Sequence, residues 1–536
     1  MIFNSIEFLI FLPIVYLVYL KLNHRGQNLW LLAASYVFYG WWDARFLYLI
    51  VVSSVVDYLS GKLIHHQHIK LNDIGKTILY MTTGAIVFLG FMGEFNHIFW
   101  FGISGVGVVS VLALFGHYYT FTSDKHRRKV ALITSMCTNL GILAIFKYFN
   151  FFIESAESAL QSLGFSNVDN FQLDIILPVG ISFYTFQTMS YTIDIYRGKL
   201  KPCDHFLDFA LFVSYFPQLV AGPIERATNL LPKIIEKRKV TWEKVTEGCG
   251  LISYGLFKKV VIADGVSSSV ASVYGNGNAS WLDIAGATVL FAIQIYCDFS
   301  GYSDIARGTS RLLGIDLMKN FNLPYFSRNP SEFWQRWHIS LSSWLRDYLY
   351  ISLGGNRKGN FNTYRNLFLT MLLGGLWHGA AWNFVLWGAY QGGILVLYRI
   401  LSDRICALWP KSNWVAFIRT PIAWAMFFVF TCYGWLLFRA ESFEQIVNYT
   451  HTLFTNFGDF SLSLDFPPFA TLLGLPILLA FEVSSYWQQK NKIHWLTAYG
   501  STKRFIAAQS FLYSIMLFIF LAALSTPPAD FIYFQF

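Results

Sequence analysis

The sequence predicts an all-α polytopic membrane protein. Of its 536 residues, 55% are hydrophobic and only 13% are charged, whereas a soluble protein has about a quarter of its residues charged. Apolar runs of membrane-spanning length recur from end to end. The formal net charge is +9, and such an excess in short loops between apolar runs is typical of cytoplasmic loops rather than of nucleic-acid binding.

The first part of the chain contains seven apolar stretches of spanning or nearly spanning length. They cover residues 5–21, 28–42, 45–61, 77–93, 98–116, 130–149 and 176–196. The loops after the first, third, fifth and seventh stretches carry Lys and Arg, and the alternate loops are poor in them. This alternation predicts an N-terminus outside the cytoplasm. The first stretch lacks a basic leader and a cleavage site, so we interpret it as a span and not as a signal peptide.

The middle of the chain predicts segments that do not cross. Residues 205–221 are apolar with basic residues on both sides, which indicates a re-entrant segment. Residues 366–398 are long for one span and short for two, and Arg365 and Arg399 lie at their ends. If a broken or re-entrant element around His378 returns the chain to the side it left, the loops between the later spans keep the same alternation of Lys and Arg content. The further spans are predicted at 258–274, 283–305, 420–438, 466–487 and 505–525.

His378 is the ionisable residue of "LLGGLWHGAAWNF", residues 372–384. Ionisable residues inside apolar segments are expensive, so they raise a functional hypothesis. A buried neutral imidazole can take a proton from a hydroxyl group. If the segment is one helix, Trp382 lies one turn away on the same face. The alternative is a core histidine that is hydrogen-bonded across helices.

The stretch 332–359 predicts an amphipathic helix at the cytoplasmic boundary, because aromatic residues recur in it at helical spacing. Arg336, His338 and Arg346 fall between the aromatic positions. Arginine side chains there can bind an anionic cofactor through its phosphates. The alternative is interfacial charge beside anionic lipid, with His338 as a surface histidine.

The stretch 182–198 places several hydroxyl groups and one carboxylate in a span. Gln187, Tyr191 and Asp194 share one helix face and are candidates to line a polar cavity. The alternative is an interhelical hydrogen-bond seam.

For Asp298 and Asp304 we favour pairing at a boundary over a role in a cavity. The "HHQH" cluster at 65–68 and the six scattered cysteines predict neither a metal site nor a disulfide framework.

Several motifs together resemble the membrane-bound O-acyltransferase (MBOAT) superfamily, and in particular its alginate O-acetyltransferase branch. They are "SYVFYGWWD", "SFYTFQTMSYTIDIYRG", "YFPQLVAGPIER", "YCDFSGYSDIARG", "FWQRWHISLSSWLRDYLY", "GGLWHGAAWNF" and the C-terminal "FIYFQF". The resemblance implies that His378 is the catalytic residue, that His338 occupies the second family position and that Asp194 is important. We then expect Trp337, Arg336, Arg346 and Trp377 to contact the acyl donor. Asn383, or a backbone N–H group at a helix break, is a candidate to stabilise an oxyanion.

The family also implies an architecture and an activity. The fold would be one domain over 1–536, with N-terminal spans in 1–200, a catalytic core in 201–400 and C-terminal spans in 401–536. About 11–13 helices and re-entrant segments would surround a central tunnel. Cytoplasmic acetyl-CoA would supply an acetyl group for an exported polysaccharide, directly or through a periplasmic SGNH-type partner, at a bacterial inner membrane.

Two alternatives stay open at this point. Teichoic acid, peptidoglycan or a lipid can replace the polysaccharide as acceptor. A transporter or flippase would also explain many spans and buried polar groups. A transporter favours an inverted repeat and paired charges at the midplane, and the sequence shows neither.

Overall fold

The computed structural model describes residues 1–65, 69, 74–79, 82, 123–165, 172–173, 176–276, 279–408, 413–458, 461–491, 521, 529 and 531–532. Regular structure in these residues is helical, which confirms the predicted all-α class. The predicted span at 98–116, nearly all of the predicted spans at 77–93 and 505–525, and residues 66–68 of the histidine cluster lie outside the described residues.

Six helical stretches of the described chain are long and apolar enough to cross a membrane, so the polytopic prediction is also confirmed. They are His24–His65, Asp124–Ser162, Trp281–Leu312, Trp382–Ser402, Arg419–Arg439 and Phe469–Lys490. The predicted span at 130–149 is the middle of a much longer helical stretch of 39 residues. The chain forms two compact units, residues 1–245 with 310–317 and residues 246–309 with 318–536. The three-part division and the ring around a tunnel stay predictions.

The first unit is built from helices that we number α1 to α9. They are α1 (Ile6–Lys21), α2 (His24–Asp43), α3 (Leu47–His65), α4 (Asp124–Leu143), α5 (Phe149–Ser162), α6 (Ile181–Tyr196), α7 (Phe206–Ser214), α8 (Phe216–Leu219) and α9 (Ala227–Ile235). A π-helical turn joins α4 to α5. Helices α7 and α8 have nine and four residues, each too short to span a bilayer, as a re-entrant segment at 205–221 requires.

A buried polar seam joins α3, α4 and α6. Asp57 is fully buried, and its carboxylate accepts hydrogen bonds from the Ser135 hydroxyl at 2.5 Å and from the Asn139 amide at 2.8 and 3.0 Å. The Asn139 carbonyl in turn accepts from Ser53 and Thr188. Hydroxyl and amide side chains that bond across helices replace the water that hydrocarbon excludes, so this seam holds the three helices in register.

The second unit continues with helices α10 to α19. They are α10 (Trp242–Leu256), α11 (Asp264–Tyr274), α12 (Trp281–Leu312), α13 (Pro330–Trp334), α14 (Ile339–Trp344), α15 (Gly359–His378), α16 (Trp382–Leu408), α17 (Asn413–Arg439), α18 (Phe443–Thr455) and α19 (Phe469–Asn491). A π-helical segment, Phe257–Ala263, connects α10 to α11, and another, Leu345–Tyr350, follows α14.

Helices α15 and α16 form a tight antiparallel hairpin, and the predicted break beside His378 is confirmed. The first helix ends at His378 and the second begins at Trp382. Near the turn, a Cβ atom on Gly375 would lie 2.3 Å from the Phe384 carbonyl oxygen and 2.8 Å from the Gly388 Cα atom. Glycines therefore bring the two backbones into direct contact, as in other close helix pairs of membranes.

We predict that Gly375→Ala destabilises the protein, because the added methyl group meets main-chain atoms that cannot rotate away. Overpacking of this kind costs about 1–3 kcal/mol. The measurement is the unfolding temperature of the purified protein in detergent. Gly393→Ala in the same hairpin is the matched control, since nothing lies within 4 Å of its Cβ position. Equal losses in the two variants would contradict the close-contact account.

Candidate active site

Two histidines that stand forty positions apart in the sequence meet in the second unit. The ring centroids of His338 and His378 are 6.4 Å apart, and both side chains are buried. The structure thus brings together the two residues that the sequence predicts as catalytic. Such a pair of imidazoles away from bulk water can accept and donate protons without competition from solvent.

His378 is the last residue of α15, and the backbone turns sharply after it. Gly379 is extended, with φ −157°, and a Cβ atom at this position would lie 2.1 Å from the Phe384 ring. Glycine is therefore required for the ring of Phe384 to close over the turn. The break also corrects one prediction: Trp382 does not share a helix face with His378, because it begins α16 and is 62% exposed.

His338 lies in a turn between two short helices, so the prediction of one amphipathic helix over 332–359 is wrong. Its backbone is left-handed, with φ 42° and ψ 55°, which is uncommon for a residue other than glycine. The turn is held by Asn320, whose backbone carbonyl accepts a hydrogen bond from the Ile339 N–H group at 2.8 Å. Local strain at a buried titratable residue is typical of functional sites.

The Asn320 side chain favours one tautomer of His338. Its Oδ1 atom accepts hydrogen bonds from the backbone N–H group of Ser340 at 3.2 Å and from the Ser340 hydroxyl at 2.9 Å. A backbone N–H group can only donate, so this atom is the amide oxygen. The Nδ1 atom of His338 lies 3.2 Å from the same oxygen and donates to it when Nδ1 carries the proton. In that tautomer the lone pair of the ring is on Nε2.

Burial favours the neutral form of His338. It lowers the pKa of His338 well below its usual value of 6.5, and the neighbouring His378 acts in the same direction. Desolvation penalises the charged imidazolium more than the neutral ring. The environment of the ring therefore favours its unprotonated, basic form.

Aromatic rings enclose the two histidines. The rings of Trp387 and Phe438 meet His378 edge-on at centroid distances of 5.1 and 5.6 Å, and Phe299 meets His338 edge-on at 4.7 Å. Such walls exclude water and lower the local dielectric constant, which strengthens the electrostatic interactions of the site.

The residues predicted to contact the acyl donor fall into two groups. Trp377 packs against His378 at 5.1 Å, and Trp337 is buried against Phe321 at 5.0 Å. Arg336 pairs with Glu332 at 2.9 Å, and the exposed Arg346 pairs with Asp347 at 2.7 Å. The two tryptophans therefore belong to the histidine cluster, whereas both arginines are ion-paired. Their role toward a donor stays a prediction.

The supporting residues predicted from the sequence are spread over both units. Asn383 donates hydrogen bonds to the carbonyl oxygens of Phe438 and Ala440 at 3.3 and 3.2 Å, so its amide ties α16 to the end of α17. In the first unit, Gln187 donates to a backbone carbonyl at 2.5 Å and Tyr191 accepts from a backbone N–H group at 3.0 Å. These two bonds fit the interhelical seam. Asp194 is buried on the same helix, and its role stays a prediction.

Sequence reasoning missed a buried ion-pair network beside the site. Lys259 lies 2.8 Å from Asp264 and 2.9 Å from Asp298, and Lys258 lies 2.5 Å from Asp304. Asp298 and Asp304 are therefore both paired, the interpretation that the sequence favoured. Asp298 also accepts the backbone N–H group of Ile532 at 2.7 Å. Adjacent lysines in an apolar run were the signal that would have revealed the network.

Comparison with known proteins defines the class. The model of the membrane-bound O-acyltransferase family matches residues 94–440, which include both histidines. The chain belongs to this family, and it is a multi-pass membrane acyltransferase.

Three relatives are similar over most of their length. Two are proteins named probable alginate O-acetylase AlgI, each 38% identical. The one from Pseudomonas putida is matched over 86% of this chain and 82% of its own length, and the one from Azotobacter vinelandii over 90% and 84%. The peptidoglycan O-acetyltransferase of Helicobacter pylori is 32% identical over 83% of this chain and 78% of its own.

We predict that Asn320→Leu destabilises the protein, because it leaves the Ser340 N–H group and Nδ1 of His338 buried without their acceptor. Each unsatisfied group costs about 1–3 kcal/mol. Asn322→Leu is the matched control, since its side chain is only half-buried and accepts bonds from Lys319 and Gln489 near the surface. Unfolding temperatures in detergent provide the measurement. A loss in the control as large as in Asn320→Leu would refute the assignment.

The variant Asn320→Asp tests the neutrality of His338. A carboxylate at this distance favours the imidazolium and raises the pKa of His338. Protonation of the ring then begins at a higher pH than in the wild type, so we expect the acidic limb of the acyl-transfer pH profile to move to higher pH. The measurement is the initial rate against pH. Superimposable profiles of variant and wild type would show that Asn320 does not control the charge of this ring.

Proposed function

We propose that this protein transfers acetyl groups from cytoplasmic acetyl-CoA across a bacterial inner membrane for the O-acetylation of an exported polysaccharide. The pair of buried histidines, 6.4 Å apart within aromatic walls, carries the proposal. The activities for which the relatives are named support O-acetylation as the reaction and a cell-surface glycan as the acceptor class.

His378 acts as the general base in this proposal. It takes the proton from the acceptor hydroxyl as the oxygen attacks the thioester carbonyl. The tetrahedral intermediate collapses to the acetyl ester and expels the CoA thiolate, which receives the proton from the imidazolium. His338 holds the reacting groups next to His378, and the tautomer that Asn320 favours supplies a hydrogen-bond acceptor at Nε2.

The acceptor hydroxyl has two possible sources. In the first, the glycan itself enters the site; in the second, a serine of a periplasmic SGNH-type partner receives the acetyl group and passes it on. The sequence offers no "GxSxG" serine and no cysteine beside His378 for a covalent relay of its own. The predicted topology, with the N-terminus outside and the basic loops in the cytoplasm, supports a CoA thioester donor that enters from the cytoplasm, where it is made.

A second candidate acceptor is peptidoglycan. The 32% identity to the Helicobacter pylori peptidoglycan O-acetyltransferase extends over 83% of this chain, and both acceptors present sugar hydroxyls outside the membrane. The chemistry at His378 is the same in either case. The acetylated fraction isolated from cells, exported polysaccharide or cell wall, separates the two.

We predict that His378→Ala lowers acetyl transfer by about 10²–10⁴-fold, the usual contribution of a general base. The measurement is the transfer of labelled acetyl from acetyl-CoA by the purified protein in nanodiscs, together with the acetyl content of the exported glycan. His451→Ala on the exposed face of α18 is the control and should leave both unchanged. Full transfer by a folded His378→Ala variant would rule out this proposal.

A further inference from the structure

An apolar groove runs along the outside of the α15–α16 hairpin, on the part of it away from His378. It has a volume of about 430 Å³. Its apolar walls are Phe361 and Phe368 from α15 and Val396, Leu397 and Ile400 from α16. Tyr364, Arg365 and Gly393 complete the lining. Phe361 is 77% exposed and Leu397 is 55% exposed. An acyl chain of a lipid matches both the shape and the chemistry of this surface.

The groove has one basic end. Because the helices are antiparallel and Gly392 lies against Phe368, Phe361 and Arg399 are at about the same level of the hairpin. Side chains of a helix lean toward its N-terminus, so Arg365 extends toward that end, where Arg357 and Lys358 precede α15. The four basic residues are exposed, and none forms an ion pair with a carboxylate of the described residues.

The Arg365 guanidinium is held in place. Its Nε and Nη2 atoms donate to the Asn366 amide oxygen at 3.3 and 3.1 Å, and Asn366 donates to the Gly355 carbonyl at 3.0 Å. Two N–H groups of the guanidinium are therefore occupied, and the others remain to bind a phosphate. A fixed guanidinium loses less conformational entropy when it binds an anion.

We propose that this groove binds an anionic glycerophospholipid, with one acyl chain along the apolar walls and the phosphate at Arg365. The long apolar walls of the groove favour a ligand with a hydrocarbon chain over a soluble anion. The positive charge at the basic end has no ion-pair partner among the described side chains, and it favours an anionic headgroup over a zwitterionic one. The site is distinct from the histidine pair, and its existence does not depend on the proposed acceptor.

The test is native mass spectrometry of the full-length protein in detergent, with dioleoyl phosphatidylglycerol and dioleoyl phosphatidylcholine as competing lipids. We expect the wild type to prefer phosphatidylglycerol. Arg365→Gln should reduce that preference about fivefold, the usual effect of one basic residue near an anionic headgroup. Arg197→Gln, an exposed arginine at the end of α6, is the matched control and should not change it.

A second variant tests the acyl chain. Nothing lies within 4 Å of a Cβ atom at Gly393, which also lines the groove, so a side chain can start there and Gly393→Phe adds a ring at the groove. We expect it to reduce binding of phosphatidylglycerol, whereas Gly141→Phe, on the equally open surface of α4, should not. Unchanged binding in Arg365→Gln or in Gly393→Phe would overturn the proposal, as would an equal loss in either control.

Discussion

A bilayer interior offers no hydrogen-bond partners, and this constraint determines where the polar side chains of the chain lie. Asp57 is surrounded by hydroxyl and amide donors. Asp298 is matched by Lys259 and a backbone N–H group. Buried ion pairs of this kind are weak contributors to net stability, because desolvation offsets much of their attraction. Such pairs instead fix the positions of the helices that carry them, since separating the partners would leave a buried charge uncompensated.

The same constraint shapes the candidate site. His338 is buried, and the amide oxygen of Asn320 lies within hydrogen-bond distance of its Nδ1 atom, so a neutral group and not a carboxylate faces this nitrogen. The unusual backbone at φ 42° is maintained because Asn320 bonds both to the residue after the histidine and to the one beyond it. The close contact of α15 with α16 fixes His378 in the same way. Two different backbone features, the left-handed turn at His338 and the helix break after His378, therefore bring the two imidazoles to within 6.4 Å of each other.

Much of this arrangement follows from sequence patterns, and the remainder does not for identifiable reasons. Hydropathy predicts the spans, and the charge alternation around Arg365 and Arg399 predicts the break at His378. Helical periodicity fails at 332–359, because the hydrogen bonds of Asn320, a residue outside that stretch, impose a left-handed turn at His338. Asn320, Trp387 and Phe438 enter the site through tertiary contacts alone. No local pattern distinguishes them from ordinary polar or core residues.

The amide of Asn320 has a chemical consequence that a carboxylate would not have. In many hydrolases a carboxylate behind the histidine stabilises the imidazolium. Here two imidazoles are 6.4 Å apart in low dielectric, and a positive charge on one would oppose proton uptake by the other. A neutral acceptor orients His338 without attracting a proton to it. In the proposed mechanism, His378 at the helix break is then the residue that takes the proton from the attacking hydroxyl group.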